Sequence, residues 1–185
     1  MDDFRYQKVI HHLIQDQLGQ GKKITFKVVG DSMHPLMGKG DPIHVEECDP
    51  RELSIGDIIT FNKNDIYVTH RVLWIIKNVS SMGLITKGDN EITIDPLVLP
   101  NQIVGKAVAI QRANRTLDLK SSCWRFINLF LGTIFLMETI FILSYRFAAG
   151  TFIPLGTLVH TTSKPFHLYR RLRKRGLNFA ARITM

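Results

Sequence analysis

Two cysteines, Cys48 and Cys123, are all that the 185-residue chain contains. That excludes a disulfide framework and a cysteine-based metal cluster, and no cofactor is expected. Acidic residues run out in the last third: beyond residue 120 only Glu138 remains, against nine Lys and Arg, whereas residues 1–120 hold 15 charges of each sign. The whole net charge of +8 therefore belongs to residues 121–185. This argues against general nucleic-acid affinity, and no nucleic acid is expected as a partner. It favours contact with an anionic membrane surface. A long amphipathic helical stripe is missing between residues 24 and 111, which excludes an alternating α/β architecture. The first 20 residues are too polar for a secretory signal or a spanning anchor.

What is present begins with a short amphipathic helix over 3–18, with Val9, Ile10, Leu13, Ile14 and Leu18 on one stripe and Gly19 and Gly21 ending it. From Ile24 the pattern changes to short apolar runs punctuated by Gly, Pro, Asn and Asp. Strands are expected near 24–29, 42–46, 57–62, 66–76, 83–87 and 102–110. The predicted fold class is mainly β, a small coiled barrel or sandwich spanning 24–111 within a first domain of residues 1–120. A period of two on the longest strand puts Ile66, Val68, His70, Val72, Trp74 and Ile76 on one face, so that His70 sits in an apolar row.

Three short segments carry chemistry: Gly30-Asp31-Ser32-Met33-His34-Pro35, then Val68-Thr69-His70-Arg71-Val72, then Thr86-Lys87-Gly88-Asp89-Asn90 with Asp95 beyond. A serine hydroxyl is a poor nucleophile at neutral pH, and it needs a base within reach and an acid to hold that base in the right tautomer. Ser32, His70 and Asp95 supply one group for each role. Pro35, Gly38, Gly40 and Asp41 make the stretch after Ser32 rich in turns, which would expose it at the edge of the sheet. An extended peptide would then add a strand beside Ile24–Val29, with Ile24, Phe26, Val28, Met33 and Pro35 as the residues lining it.

Ser-Met-x-Pro, Gly56-Asp57 opening an apolar strand, His-Arg-Val, and Lys-Gly-Asp-Asn with a second Asp six residues after the first resemble the type I signal peptidases. The similarity is to the branch in which His replaces the catalytic Lys, found in the endoplasmic reticulum, archaea and some Gram-positive bacteria. It covers about residues 24–111. The resemblance implies Ser32 as nucleophile, His70 as general base, Asp95 as the triad acid and Asp89 as a second, supporting acid. It also implies the β fold class, and small side chains, Ala above all, at the residue before the cut and two residues further upstream. Where that family usually has a serine hydroxyl for the oxyanion, this chain has Gly30, which leaves the work to backbone N–H groups around Ser32 and Met33. The Gly-Asp-Ser-Met sequence is also similar to self-cleaving repressors, which pair Ser with Lys rather than His. The N-terminal membrane segment usual in signal peptidases is not expected here.

Residues 121–185 read as a hydrophobic, membrane-associated segment with a basic tail. Phe126–Ser144 contains 12 Leu, Ile and Phe, worth roughly −5 kcal/mol in sum on an insertion scale, while a charged, central Glu138 costs about 2.5–3.5 kcal/mol. Insertion as a transmembrane helix is favoured by that balance. Phe147–Val159 is shorter and broken by Gly150, Pro154 and Gly156, and is expected to be interfacial or re-entrant. Tyr169–Gly176 holds five cations suited to anionic lipid and belongs in the cytoplasm by the positive-inside rule, while the membrane face of the β domain stays open. The leading expectation is a membrane-associated serine endopeptidase that removes a leader or signal sequence. The alternatives are a processing peptidase with one dedicated cytoplasmic substrate, and a pseudo-peptidase that only binds peptides.

Overall fold

The computed structural model describes residues 2–77, 82–112 and 115–148, with side chains from Val9 to Ser144. The expected apolar stretch at 147–159 lies almost wholly outside these residues, and the basic run at 169–176 wholly so. Seven strands, β1 (Ile24–Lys27), β2 (Pro42–Glu46), β3 (Ile58–Lys63), β4 (Ile66–Lys77), β5 (Met82–Lys87), β6 (Ile103–Arg112) and β7 (Arg115–Asp118), lie between α1 (Asp2–Gly19) and α2 (Ser122–Ala148). They pair antiparallel in one sheet, in the order β1-β2-β6-β3-β4-β5, with β7 added to β6. The mainly β expectation holds, but the sheet does not close into a barrel. Strand β7 escapes sequence analysis because Arg-Thr-Leu-Asp offers one half-buried apolar residue and no alternation.

The β3–β4 hairpin turns through Asn64 and Asp65, both with positive φ (53° and 65°), as a two-residue loop matched to strand twist requires. Its register sets Ile59 opposite His70 and Thr60 opposite Thr69. Further along β4 the expected alternation fails. Pairing with β5 shifts between Val72 and Trp74, so Leu73 is an extra, bulged residue. Beyond it Ile75, not Trp74 or Ile76, rejoins Val68 and Val72 in the core, and Trp74 is exposed.

Two apolar clusters fill the interior. One joins Met33, Met37, Ile43, Val45, Ile58, Ala107, Ile110 and Leu119, and the other Leu53, Ile59, Phe61, Val72, Leu84, Val98 and Ile103. Helix α1 packs on the domain through Leu18, which is fully buried, and through half-buried Ile10 and Ile14. Val9 and Leu13, expected on the same stripe, face solvent.

Candidate active site

Ser32 lies in a run of turns just after β1, and His70 lies in the middle of β4. The Ser32 hydroxyl is 3.0 Å from His70 Nε2, and His70 Nδ1 is 2.6 Å from Asp95 Oδ2. His70 is nearly buried and packs edge-on to Phe61. Three residues distant in sequence thus form one continuous hydrogen-bonded chain.

Asp95 carries more than one contact. Its Oδ2 also accepts from the Thr86 hydroxyl at 2.9 Å and its Oδ1 from Lys63 Nζ at 3.1 Å. Burial by itself would raise this carboxyl, but the hydrogen bonds from His70, Thr86 and Lys63 and the charge of His70 outweigh it and hold the pKa below the usual carboxylate value. A depressed carboxyl stabilises the fold above its unfolded pKa of about 3.9, and that contribution is lost as acid titrates the folded-state group. Lys63 was not singled out from the sequence, and Thr86 stood there only as the first residue of its segment, with no role assigned. Lys63 is recognisable only once the hairpin register is known, since it sits at the turn end of β3, remote in sequence from Asp95.

Asp89 is placed elsewhere. Its two oxygens accept from Arg71 Nε and Nη2 at 2.8 and 2.7 Å, and it is 1% exposed. It stands outside the Ser32–His70–Asp95 chain. Its loop nevertheless reaches the serine: the Asn90 amide donates to the Ser32 carbonyl at 2.6 Å, and Asn90 Nδ2 to the Asp31 carbonyl at 3.1 Å. A Cβ on Gly88 would lie 2.7 Å from the Ser32 carbonyl oxygen and 3.0 Å from Ser32 Cβ. Only glycine lets the two loops approach this closely.

The remaining candidates lie around the serine. Gly30 is exposed, and nothing lies within 4 Å of where its Cβ would be. Among the described residues, no protein acceptor takes the Ser32 or Met33 amide. The Met33 side chain is in the core, where its sulfur accepts from the Asp89 amide at 3.4 Å. Pro35 is half-buried and its carbonyl accepts from Arg112. Strand β1 is an end strand whose one sheet partner is β2, with Ile24, Phe26 and Val28 half-buried.

The other face of the sheet is polar in an unusual way. Arg71 and Lys87 are directly opposed across β4 and β5, both essentially fully buried. Like charges so placed repel unless each meets an anion. Arg71 meets Asp89, and its Nη1 also donates to the Gly56 carbonyl and to Asn128 Oδ1 of α2 at 2.9 and 2.8 Å. Lys87 Nζ donates to Glu138 Oε2 at 2.8 Å and lies over the Phe135 ring. The helix comes within backbone contact of the domain: a Cβ on Gly56 would be 2.2 Å from the Asn128 carbonyl oxygen, and one on Gly132 2.8 Å from Gly56 Cα. Of these residues, sequence analysis gave a role to Glu138, as an unfavourable charge in an apolar helix, and to Asp89, as a supporting acid; Arg71, Lys87 and Gly56 stood in motifs without one, and Asn128, Gly132 and Phe135 were passed over.

No family model matches the chain. Over 70 residues it is 40% identical to signal peptidase I W of Bacillus subtilis (strain 168). The relationship is signal peptidase-like. It covers 37% of this chain and 37% of that relative, so the likeness concerns a part of each.

Proposed function

We propose that this protein is a membrane-associated serine endopeptidase that removes a leader or signal sequence after a small residue. The observation carrying the proposal is the hydrogen-bonded chain from Ser32 through His70 to Asp95. In the reaction Ser32 Oγ attacks the scissile carbonyl while its proton passes to His70 Nε2, and Asp95 holds Nδ1–H and stabilises the imidazolium. The amides of Ser32 and Met33 donate to the oxyanion. His70 then protonates the departing amine, and water deacylates the serine by the same proton path. The free edge of β1 suits a substrate bound as an added strand.

A comparison of protein N-termini in cells carrying the wild-type gene or a Ser32→Ala copy tests the proposal. N-termini lost in the variant, preceded in the precursor by small residues, are the expected result. Identical sets of N-termini, with peptide binding retained, would leave a non-catalytic binding module. A further variant probes the loop contact. Gly88→Ala pushes the Ser32 backbone away, and kcat is expected to fall about 100-fold with little change in KM, as for a misplacement of about 1 Å. Steady-state kinetics on a peptide carrying the mapped cleavage site measures both.

A further inference from the structure

Helix α2 is long and apolar enough to cross a bilayer by length and composition, yet its contacts point to another arrangement. Asn128, Gly132, Phe135 and Thr139, spaced four, three and four apart, form a buried stripe against the β domain. Between the last two, Glu138 reaches Lys87. Phe126, Phe130, Ile134, Met137 and Phe141 form the opposite stripe and are 71, 58, 44, 62 and 71% exposed.

The docked stretch from 128 to 139 rises about 17 Å along the helix axis. A hydrocarbon core is about 30 Å thick. A spanning α2 would therefore carry the sheet face bearing Arg71 and Lys87, with its loops, through more than half of the membrane, where loop backbone exposed to lipid is not tolerated.

We propose that α2 lies in the plane of the membrane surface, with its Phe126–Phe141 stripe in one leaflet of an anionic bilayer and its Asn128–Thr139 stripe on the β domain. Charge selects the occupant. Residues 121–185 hold nine cations and one acid, and that acid, Glu138, is turned to the domain and paired with Lys87. The outward face thus offers phospholipid apolar side chains and no negative charge, with Arg125 exposed at its start. This orientation deepens the membrane part of the proposed function and does not depend on catalysis.

Flotation and depth measurements on the full-length chain test it in two separable steps. Flotation with phosphatidylglycerol-containing vesicles is expected to exceed that with pure phosphatidylcholine vesicles by about tenfold, and a Phe130→Ser/Met137→Ser/Phe141→Ser variant with unchanged circular dichroism should lose about tenfold or more. Failure to float would overturn the inference and the membrane association together, whether a second copy or residues 149–185 cover the stripe. Nitroxides are then placed singly at 126, 134 and 141 in a Cys48→Ser/Cys123→Ser background. An in-plane helix gives three equal, shallow depths. A deepest label at 134, with 126 and 141 near opposite interfaces, would overturn the orientation while leaving membrane association standing.

Discussion

Ser32→Ala and His70→Ala are each expected to lower kcat by about a millionfold, and the double variant to be no slower than either single one. The reason is that hydroxyl and imidazole act as one proton-transfer unit, 3.0 Å apart. Once either is gone, the other has nothing to act on. What remains over the uncatalysed reaction comes from the oxyanion donors and substrate positioning, which neither substitution touches. Folding should be little affected, since Ser32 is half-exposed and its hydroxyl, among the described residues, bonds to His70. Single-turnover kinetics of the three variants checks this. Losses that multiply in the double variant would mean that serine and histidine act independently, and near-normal turnover by Ser32→Ala would remove the serine from the mechanism.

Arg71→Ala is expected to cost about 3–5 kcal/mol of stability. Its guanidinium is fully buried and holds Asp89 bidentately, the Gly56 carbonyl and Asn128 of α2. Removing it leaves the Asp89 carboxylate without that partner in a site 1% exposed. An apolar pair of similar volume, Arg71→Met/Asp89→Leu, should recover a large part of the loss, because the stranded charge goes with its partner. Urea midpoints at constant m-value give both figures. A loss below about 1 kcal/mol for Arg71→Ala would mean that water or a shifted cation reaches Asp89, as at a surface pair.

The strands were largely legible in the sequence because β-branched and aromatic runs between turn residues announce themselves locally. The serine, the histidine and the acid were legible as motifs. The preference for Asp95 over Asp89 came from the resemblance and not from the residues themselves, because it depends on which face of the sheet each aspartate of that loop reaches, and that follows from pairing between segments far apart in the chain. The bulge at Leu73 lacks any mark in the sequence: Val-Leu-Trp-Ile is apolar throughout and would suit either register, and only the pairing with β5 displaces it. Glu138 misled for a related reason. An acid in an apolar helix reads as a cost until a buried lysine on a strand some fifty residues earlier is placed beside it.

His70 and Arg71, adjacent on one strand, point to opposite faces of the sheet, the first toward Ser32 and the second toward α2. The hairpin is therefore sensitive to the parity of its length. Removing one residue between Ile59 and His70 would swap the two side chains, presenting a guanidinium to the serine and an imidazole to Asp89 and the helix. Removing or adding two would keep each on its own side. Length variation in this hairpin is thus open to even steps and closed to odd ones, a constraint on drift in the gene that the identities of His70 and Arg71 alone do not express.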